Sequence, residues 1–302
     1  EVKDSQSHVN QIPAVKLWVL GARPRTLPAA VVPVLVGAAL ALGTAHPVWW
    51  RIALALVVSL SLQVGVNYAN DYSDGVKGTD AVRVGPVRLV GSGLVAPKLV
   101  KRAAVLSFGF AAVCGLVLSL TTTPWLLVVG VCAIAAGWTY TGGPRPYGYL
   151  GLGEIFVFIF FGVVATLGSA YVVAEELTSA MWISCVPVGC FACALLVVNN
   201  LRDIPTDSKV GKNTLAVRLG DARTRQFYVL LYVLSAAFVV AVAIQKPAAI
   251  LGLLGIASAG GAVRAVRGGA SGRDLIAVLG ATGKAQMIFG LLFSVGLLIA
   301  NR

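Results

Sequence analysis

Hydrophobic positions along this chain fall into long unbroken runs rather than into an alternating or amphipathic pattern. A helix that crosses a bilayer needs about 20 mostly apolar residues. Nine stretches come close to that, near residues 27–44, 49–70, 100–120, 124–141, 154–174, 180–200, 226–245, 247–263 and 284–300. The breaks around Thr121–Pro124 and Gln245–Pro247 are short, so the third and fourth runs, and the seventh and eighth, form antiparallel helical hairpins. Period-two alternation of the β-barrel kind is absent. The pattern predicts an all-α, polytopic membrane bundle of about nine transmembrane helices. It fills residues 1–302 as a single domain, after a polar N-terminal tail over 1–13. The first ten residues are polar and mixed in charge, unlike the start of a secretory signal.

Composition supports the same class. Of 302 residues 58% are hydrophobic and 12% are charged, against about 25% charged in a soluble domain. That excludes a soluble globule and a disordered chain. The 34 glycines, many inside the runs, suit helices packed closely in lipid. The five cysteines all lie in apolar runs. Cys190 and Cys193 form a C-x-x-C with no second pair and no nearby histidine, which reads as core packing rather than as zinc or redox chemistry. His8 and His46 are the only histidines, one in the tail and one in a loop.

Charge then orients the bundle. Lys and Arg number 24 against 12 Asp and Glu, a net of +12. No soluble basic region carries the excess, so membrane topology and anionic ligands explain it better than nucleic acid. Twenty-one of the 24 fall in the N-terminal segment and in loops 71–102, 142–153, 201–225 and 264–284. Arg51, Lys246 and Arg302 remain for the other side. The basic side is expected to be cytoplasmic. That places the N-terminus and both long polar loops inside and the C-terminus outside, with a central cavity facing the cytoplasm.

Acidic residues are scarce, so their grouping is informative. Asn67, Asn70, Asp71 and Asp74 lie three or four apart at the end of the second run and share one helical face. Asn199, Asp203 and Asp207 repeat every four at the end of the sixth. Each face offers carboxylates and amide oxygens but no soft ligand, as Mg²⁺ prefers when it binds through few carboxylates plus substrate phosphates. Lys77, Arg83, Arg88, Arg202, Lys209 and Lys212 stand beside them, the cations that a diphosphate takes. For either cluster alone, ordinary paired charges at a helix end would serve as well. Two matching faces on one side favour a Mg²⁺-diphosphate site, and an apolar tail on a charged head, as in an isoprenyl diphosphate, suits its place at the membrane boundary. Asp80 lies past Gly75 and Gly78, and either solvation or ligation suits it.

Asn70-Asp71-Tyr72-Ser73-Asp74 together with Asn199-x-x-x-Asp203-x-x-x-Asp207 resembles the paired aspartate motifs of the UbiA superfamily of membrane aromatic prenyltransferases. The likeness runs from Ala22-Arg23-Pro24-Arg25-Thr26 to the last run. It passes through Gly78-Thr79-Asp80, Arg83-Val-Gly85-Pro86-Val-Arg88, Ser92-Gly93, Tyr140-Thr141-Gly142-Gly143-Pro144-Arg145-Pro146-Tyr147, Gly151-Leu-Gly153-Glu154 and Thr214-Leu215-Ala216-Val217-Arg218-Leu219-Gly220. Within the superfamily it is nearest the branch that prenylates 1,4-dihydroxy-2-naphthoate. The resemblance implies transfer of a polyprenyl group from polyprenyl diphosphate to that acceptor with loss of CO₂, giving demethylmenaquinone in the cell membrane. It implies Asp71, Asp74, Asp203 and Asp207 as the catalytic carboxylates. One departure stands out: many members carry a third aspartate four residues after the one matching Asp74, and that position is Gly78 here.

Other polar positions on the same side carry two readings each. Arg23 and Arg25 suit the acceptor carboxylate or a lipid headgroup. Asn67, Tyr140, Arg145 and Tyr147 are candidates for the acceptor site, although interfacial tyrosines also anchor helices, and the anchor role is preferred for Tyr149. Glu154 opens an apolar run, and a structural role is preferred over that of a base. Two rivals compete. An acceptor such as 4-hydroxybenzoate or homogentisate would keep the chemistry. A small cation transporter would place its acids near the midplane rather than at one end beside basic residues. The D-G-x-x-A-R run of CDP-alcohol phosphotransferases is missing after Asp74-Gly75.

Overall fold

The computed structural model describes residues 13–79, 85 and 87–301. The described residues form helices and turns with no strand. In chain order the helices are α1 (Ala14–Ala22), α2 (Pro28–Ala41), α3 (Trp50–Lys77), α4 (Pro97–Thr121), α5 (Trp125–Thr139), α6 (Gly153–Ala174), α7 (Ser179–Asp207), α8 (Leu215–Gln245), α9 (Gly252–Ala257), α10 (Gly260–Arg267) and α11 (Asp274–Ile299). Among the described residues, six helices are long and apolar enough to cross a membrane. The count rises to eight if α1 with α2, bent by 55°, and α9 with α10, bent by 44°, are each one span. α5 is a shorter apolar helix. Each of the nine apolar runs thus has a helix.

The helices outrun the hydrophobic runs at the polar end. α3 continues to Lys77 and α7 to Asp207, α8 begins at Leu215 and α11 at Asp274. Lys284, expected at a loop's edge, therefore lies within α11. Hydropathy marks the membrane's thickness, while a helix continues until a residue stops it. For α3 that residue is Gly78, whose φ of 74° is the left-handed conformation that suits glycine. A side chain at that position would be strained in this backbone conformation. α1, which the apolar pattern did not predict, is a short half-exposed helix ended by Arg23 at φ 55°.

Packing centres on α7, the most deeply buried of the long helices. It lies against α8, α6, α11 and α2. Glycine allows the closest of these approaches: a Cβ on Gly162 of α6 would fall 2.7 Å from the Cα of Gly189 on α7. A stack of Phe191, Phe289 and Phe293 ties α7 to α11, with Tyr232 of α8 edge-on to Phe191. The hairpin of α4 and α5 packs on α3 and makes no extensive contact with α6. That leaves the wall thin between α5 and α6. Arg51, at the end of the bundle away from the aspartates, donates to the Val172 and Thr121 carbonyls and pairs with Glu175.

Candidate functional site at the polar end of the bundle

A cavity of about 750 Å³ opens inside the bundle. Its deeper part is apolar, lined by Gly115, Leu116, Leu127, Gly130 and Val131 of α4 and α5 and by Phe160, Phe161 and Gly168 of α6. Several of these also face lipid, with Leu116 43% and Val131 68% exposed. The other end is polar, lined by Arg23, Arg25, Asn67, Asn70, Asp74, Arg88, Asn199, Asn200 and Lys212. Tyr140 and Tyr147 join that wall.

α3 and α7 deliver the two aspartate faces to one point. The Lys212 ammonium lies 3.7 Å from Asp74 Oδ2 and 3.8 Å from Asp207 Oδ1. Tyr149 donates to Asp74 Oδ1 at 2.8 Å, and Lys212 stands over the Tyr149 ring. Tyr149 thus touches the first aspartate face. The sequence held no signal for this, because the contact spans 75 residues of chain.

The other two motif aspartates are engaged by protein. Asp71 is fully buried, and its two carboxylate oxygens accept from the backbone N–H groups of Leu89 and Val90 at 2.8 and 2.9 Å. It holds the returning end of the loop that carries Arg88 into the cavity wall. Asp203 takes both Nε and Nη2 of Arg202, at 2.7 and 2.8 Å, and Nη2 also donates to Asn199 Oδ1 at 2.8 Å. Arg202 therefore braces the second face from behind. Asn70 Oδ1 accepts from the Thr141 hydroxyl at 2.9 Å.

Some expected diphosphate and acceptor groups line no part of the cavity, and others line it while also holding protein groups. Lys77 donates to the carbonyls of Thr141 and Gly143 at 2.7 and 3.2 Å and closes the 141–143 turn instead of lining the cavity. Lys209 and Arg145 are exposed and line no part of the cavity. Asp80 and Arg83 lie outside the described residues. Asn67 holds the chain break before α2, donating to the Ala22 carbonyl and the Thr26 hydroxyl at 2.9 and 3.1 Å. Arg23 donates to the Asn67 carbonyl at 3.3 Å. Burial holds the Tyr147 phenol above its usual range. It stays protonated and donates to the Ala136 carbonyl at 2.9 Å. Thr141 and Asn200 are the site's additions to the sequence-derived set.

A divalent cation fits this donor set. Among the described residues, no three His, Cys, Asp or Glu side chains converge as a preformed metal site. Two carboxylates do converge on one ammonium, so their oxygens already lie about a positive charge. Hard oxygens with few protein ligands are what Mg²⁺ takes when phosphate oxygens complete its shell.

Known proteins resemble the chain in sequence and in fold. The model of the UbiA prenyltransferase family matches residues 30–298. The chain is 50% identical over 274 residues to the 1,4-dihydroxy-2-naphthoate octaprenyltransferase of Mycobacterium tuberculosis, covering 91% of this chain and 94% of that one. It is 31% identical over 293 residues to the Bacillus subtilis enzyme of the same name, covering 94% and 92%. A solved UbiA homologue from Archaeoglobus fulgidus bound to GPP and Mg²⁺ superposes with a TM-score of 0.67 at 14% identity, over 92% of this chain and 99% of that one.

Proposed function

The chain belongs to the UbiA prenyltransferase family, and from that premise we infer that it transfers a polyprenyl group from polyprenyl diphosphate to 1,4-dihydroxy-2-naphthoate. CO₂ is lost and demethylmenaquinone is formed. The relatives that cover nearly all of the chain are named for that acceptor. The observation that carries the reading is the pairing of Asp74 and Asp207 about one cation at the polar mouth of an apolar cavity. The acceptor, rather than 4-hydroxybenzoate or homogentisate, rests on those relatives.

The site residues divide by what they touch. Asp74 and Asp207, with Asn70 and Asn199 beside them, would hold Mg²⁺. When bound, the metal supplies positive charge that stabilises the departing diphosphate. Lys212 and Arg88 line the cavity and take negative charge on the diphosphate oxygens. Asp71 and Asp203 act one step back: the first holds the Arg88 loop and the second holds Arg202 and through it Asn199. The apolar part of the cavity takes the tail and keeps water from the allylic carbon as its bond to oxygen breaks. The electron-rich ring then forms the new bond to that carbon. The basic side of the bundle is cytoplasmic and the membrane is the cell membrane, so a soluble acceptor arrives from one side and a lipid donor through the thin wall. One prenyltransferase domain spans the chain.

The test uses the full chain in lipid nanodiscs with polyprenyl diphosphate and 1,4-dihydroxy-2-naphthoate, with the product read by mass. Prenylated, decarboxylated product that requires Mg²⁺ is expected. Turnover of 4-hydroxybenzoate or homogentisate in its place would overturn the acceptor, and full activity in chelator would overturn the metal.

A further inference from the structure

α6 begins by burying a carboxylate. Glu154 is 4% exposed, and a carboxylate entering an apolar span is costly unless it is partnered. No Lys or Arg pairs with it among the described residues. Its side-chain partner is an amide: Asn200 Nδ2 donates to Glu154 Oε1 at 2.9 Å. Glu154 Oε2 has no hydrogen-bond partner. The Glu154 backbone is itself fastened to α7, its carbonyl accepting from the Cys193 thiol at 3.2 Å.

The pairing fixes which way Asn200 faces. With Glu154 Oε1 accepting from the amide nitrogen, the carbonyl Oδ1 of Asn200 turns away from Glu154. Asn200 lines the cavity, and no donor reaches its Oδ1 among the described residues. The same wall carries aromatic rings. Tyr140 lies against the start of α6, where a Cβ on Gly153 would come within 3.3 Å of its ring and of Leu196, one turn before Asn200. Tyr140 and Tyr147 are edge-on at 5.4 Å, and Tyr147 stacks on Phe156 at 4.0 Å. A rigidly oriented acceptor oxygen beside a run of aromatic faces is the chemistry that recognises a planar ring bearing a hydroxyl.

We propose that Asn200 Oδ1 accepts a hydrogen bond from a ring hydroxyl of the aromatic substrate, and that Glu154 is the positioning residue that holds the amide in that orientation. This rests on the acceptor reading above. A group buried to receive a hydroxyl rejects an analogue that lacks it, because the oxygen is then left without a donor.

The experiment measures binding first and turnover second. The purified chain in nanodiscs, without prenyl diphosphate, is titrated with 1,4-dihydroxy-2-naphthoate and with its 1-hydroxy and 4-hydroxy analogues. Wild type is expected to prefer the dihydroxy compound to one of the two analogues. Asn200→Ala should lose about tenfold in affinity for the dihydroxy compound, the scale of one hydrogen bond, and should lose that preference. Glu154→Gln, nearly isosteric, no longer forces the amide's orientation. It should narrow the preference and raise KM for the acceptor with kcat and the donor KM little changed, and it carries the test if Asn200→Ala does not fold. Three results would overturn the proposal: an unchanged hydroxyl preference in both variants, lowered thermal stability with the preference intact, or a shift confined to Mg²⁺ half-saturation or donor KM. Binding of none of the three compounds by wild type would overturn the acceptor reading, and this inference with it.

Discussion

At the scale of single residues, Lys212 sets the electrostatics of the site. Two carboxylates brought together by folding repel, and one ammonium between them relieves that repulsion. The same ammonium would meet a diphosphate, so its two roles compete and metal and donor should bind together more readily than either alone. Asp74→Ala and Asp207→Ala should each lower turnover at least ~100-fold, the scale of losing a principal electrostatic stabiliser, with the double variant little worse than either. Near-native turnover by both, in correctly inserted protein, would dismiss the two-faced site. Asp71 differs, because its oxygens are engaged by Leu89 and Val90. Asp71→Ala leaves two backbone donors without their acceptor, which costs about 1–3 kcal/mol for each that is buried. It should lower the unfolding temperature and loosen residues 87–95 to protease, whereas Asp74→Ala should leave residues 87–95 as protected as in the parent. The sequence revealed that these aspartates share faces, since helical spacing alone requires it. It did not separate ligand from clamp, because Asp71's partners are 18 and 19 residues away and are backbone groups that carry no sequence signature. Tyr149 and Lys77 escaped for a related reason, as their roles depend on how the 141–150 turn folds back over α3.

At the scale of elements, the position of the apolar runs was legible and the ends of the helices were not. Hydropathy fixes where lipid begins, but α3, α7 and α8 each project past it, and those projections carry the chemistry. α5 is short and makes no extensive contact with α6. Glycines face the resulting gap. Gly130 and Gly168 line the cavity, and a Cβ at either meets no atom within 4 Å. Larger side chains there should therefore be accepted by the fold and should fill the space available to a prenyl tail. Gly130→Leu and Gly168→Leu are expected to keep the stability of the parent and its turnover of a short donor such as geranyl diphosphate. Their KM for a long-chain donor should rise several-fold. Equal loss for short and long donors would show that this gap does not hold the tail.

At the scale of the whole molecule, the bundle is polarised end to end. One end collects the aspartate faces, Lys212, Arg23, Arg25 and Arg88. The other is closed by a few local contacts: Arg51 with Glu175, and Lys246 with Asn301, which in turn donates to the Ala39 carbonyl. Basic residues are costly to translocate, so the sequence count of 21 of 24 Lys and Arg on one side would place the polar mouth in the cytoplasm. The orientation also decides which substrate needs a path through protein. With the polar mouth inside, a charged naphthoate and a diphosphate head both reach the aspartates from water, and only the apolar tail must enter from lipid. Single cysteines test this in a chain whose five native cysteines are replaced. Lys209→Cys, on the exposed turn after α7, should resist an impermeant thiol reagent added to intact cells and react once the membrane is opened. Glu176→Cys, on the exposed turn between α6 and α7, should react in intact cells. The reverse pattern would place the aspartates outside, where neither a cytoplasmic acceptor nor cellular Mg²⁺ could reach them.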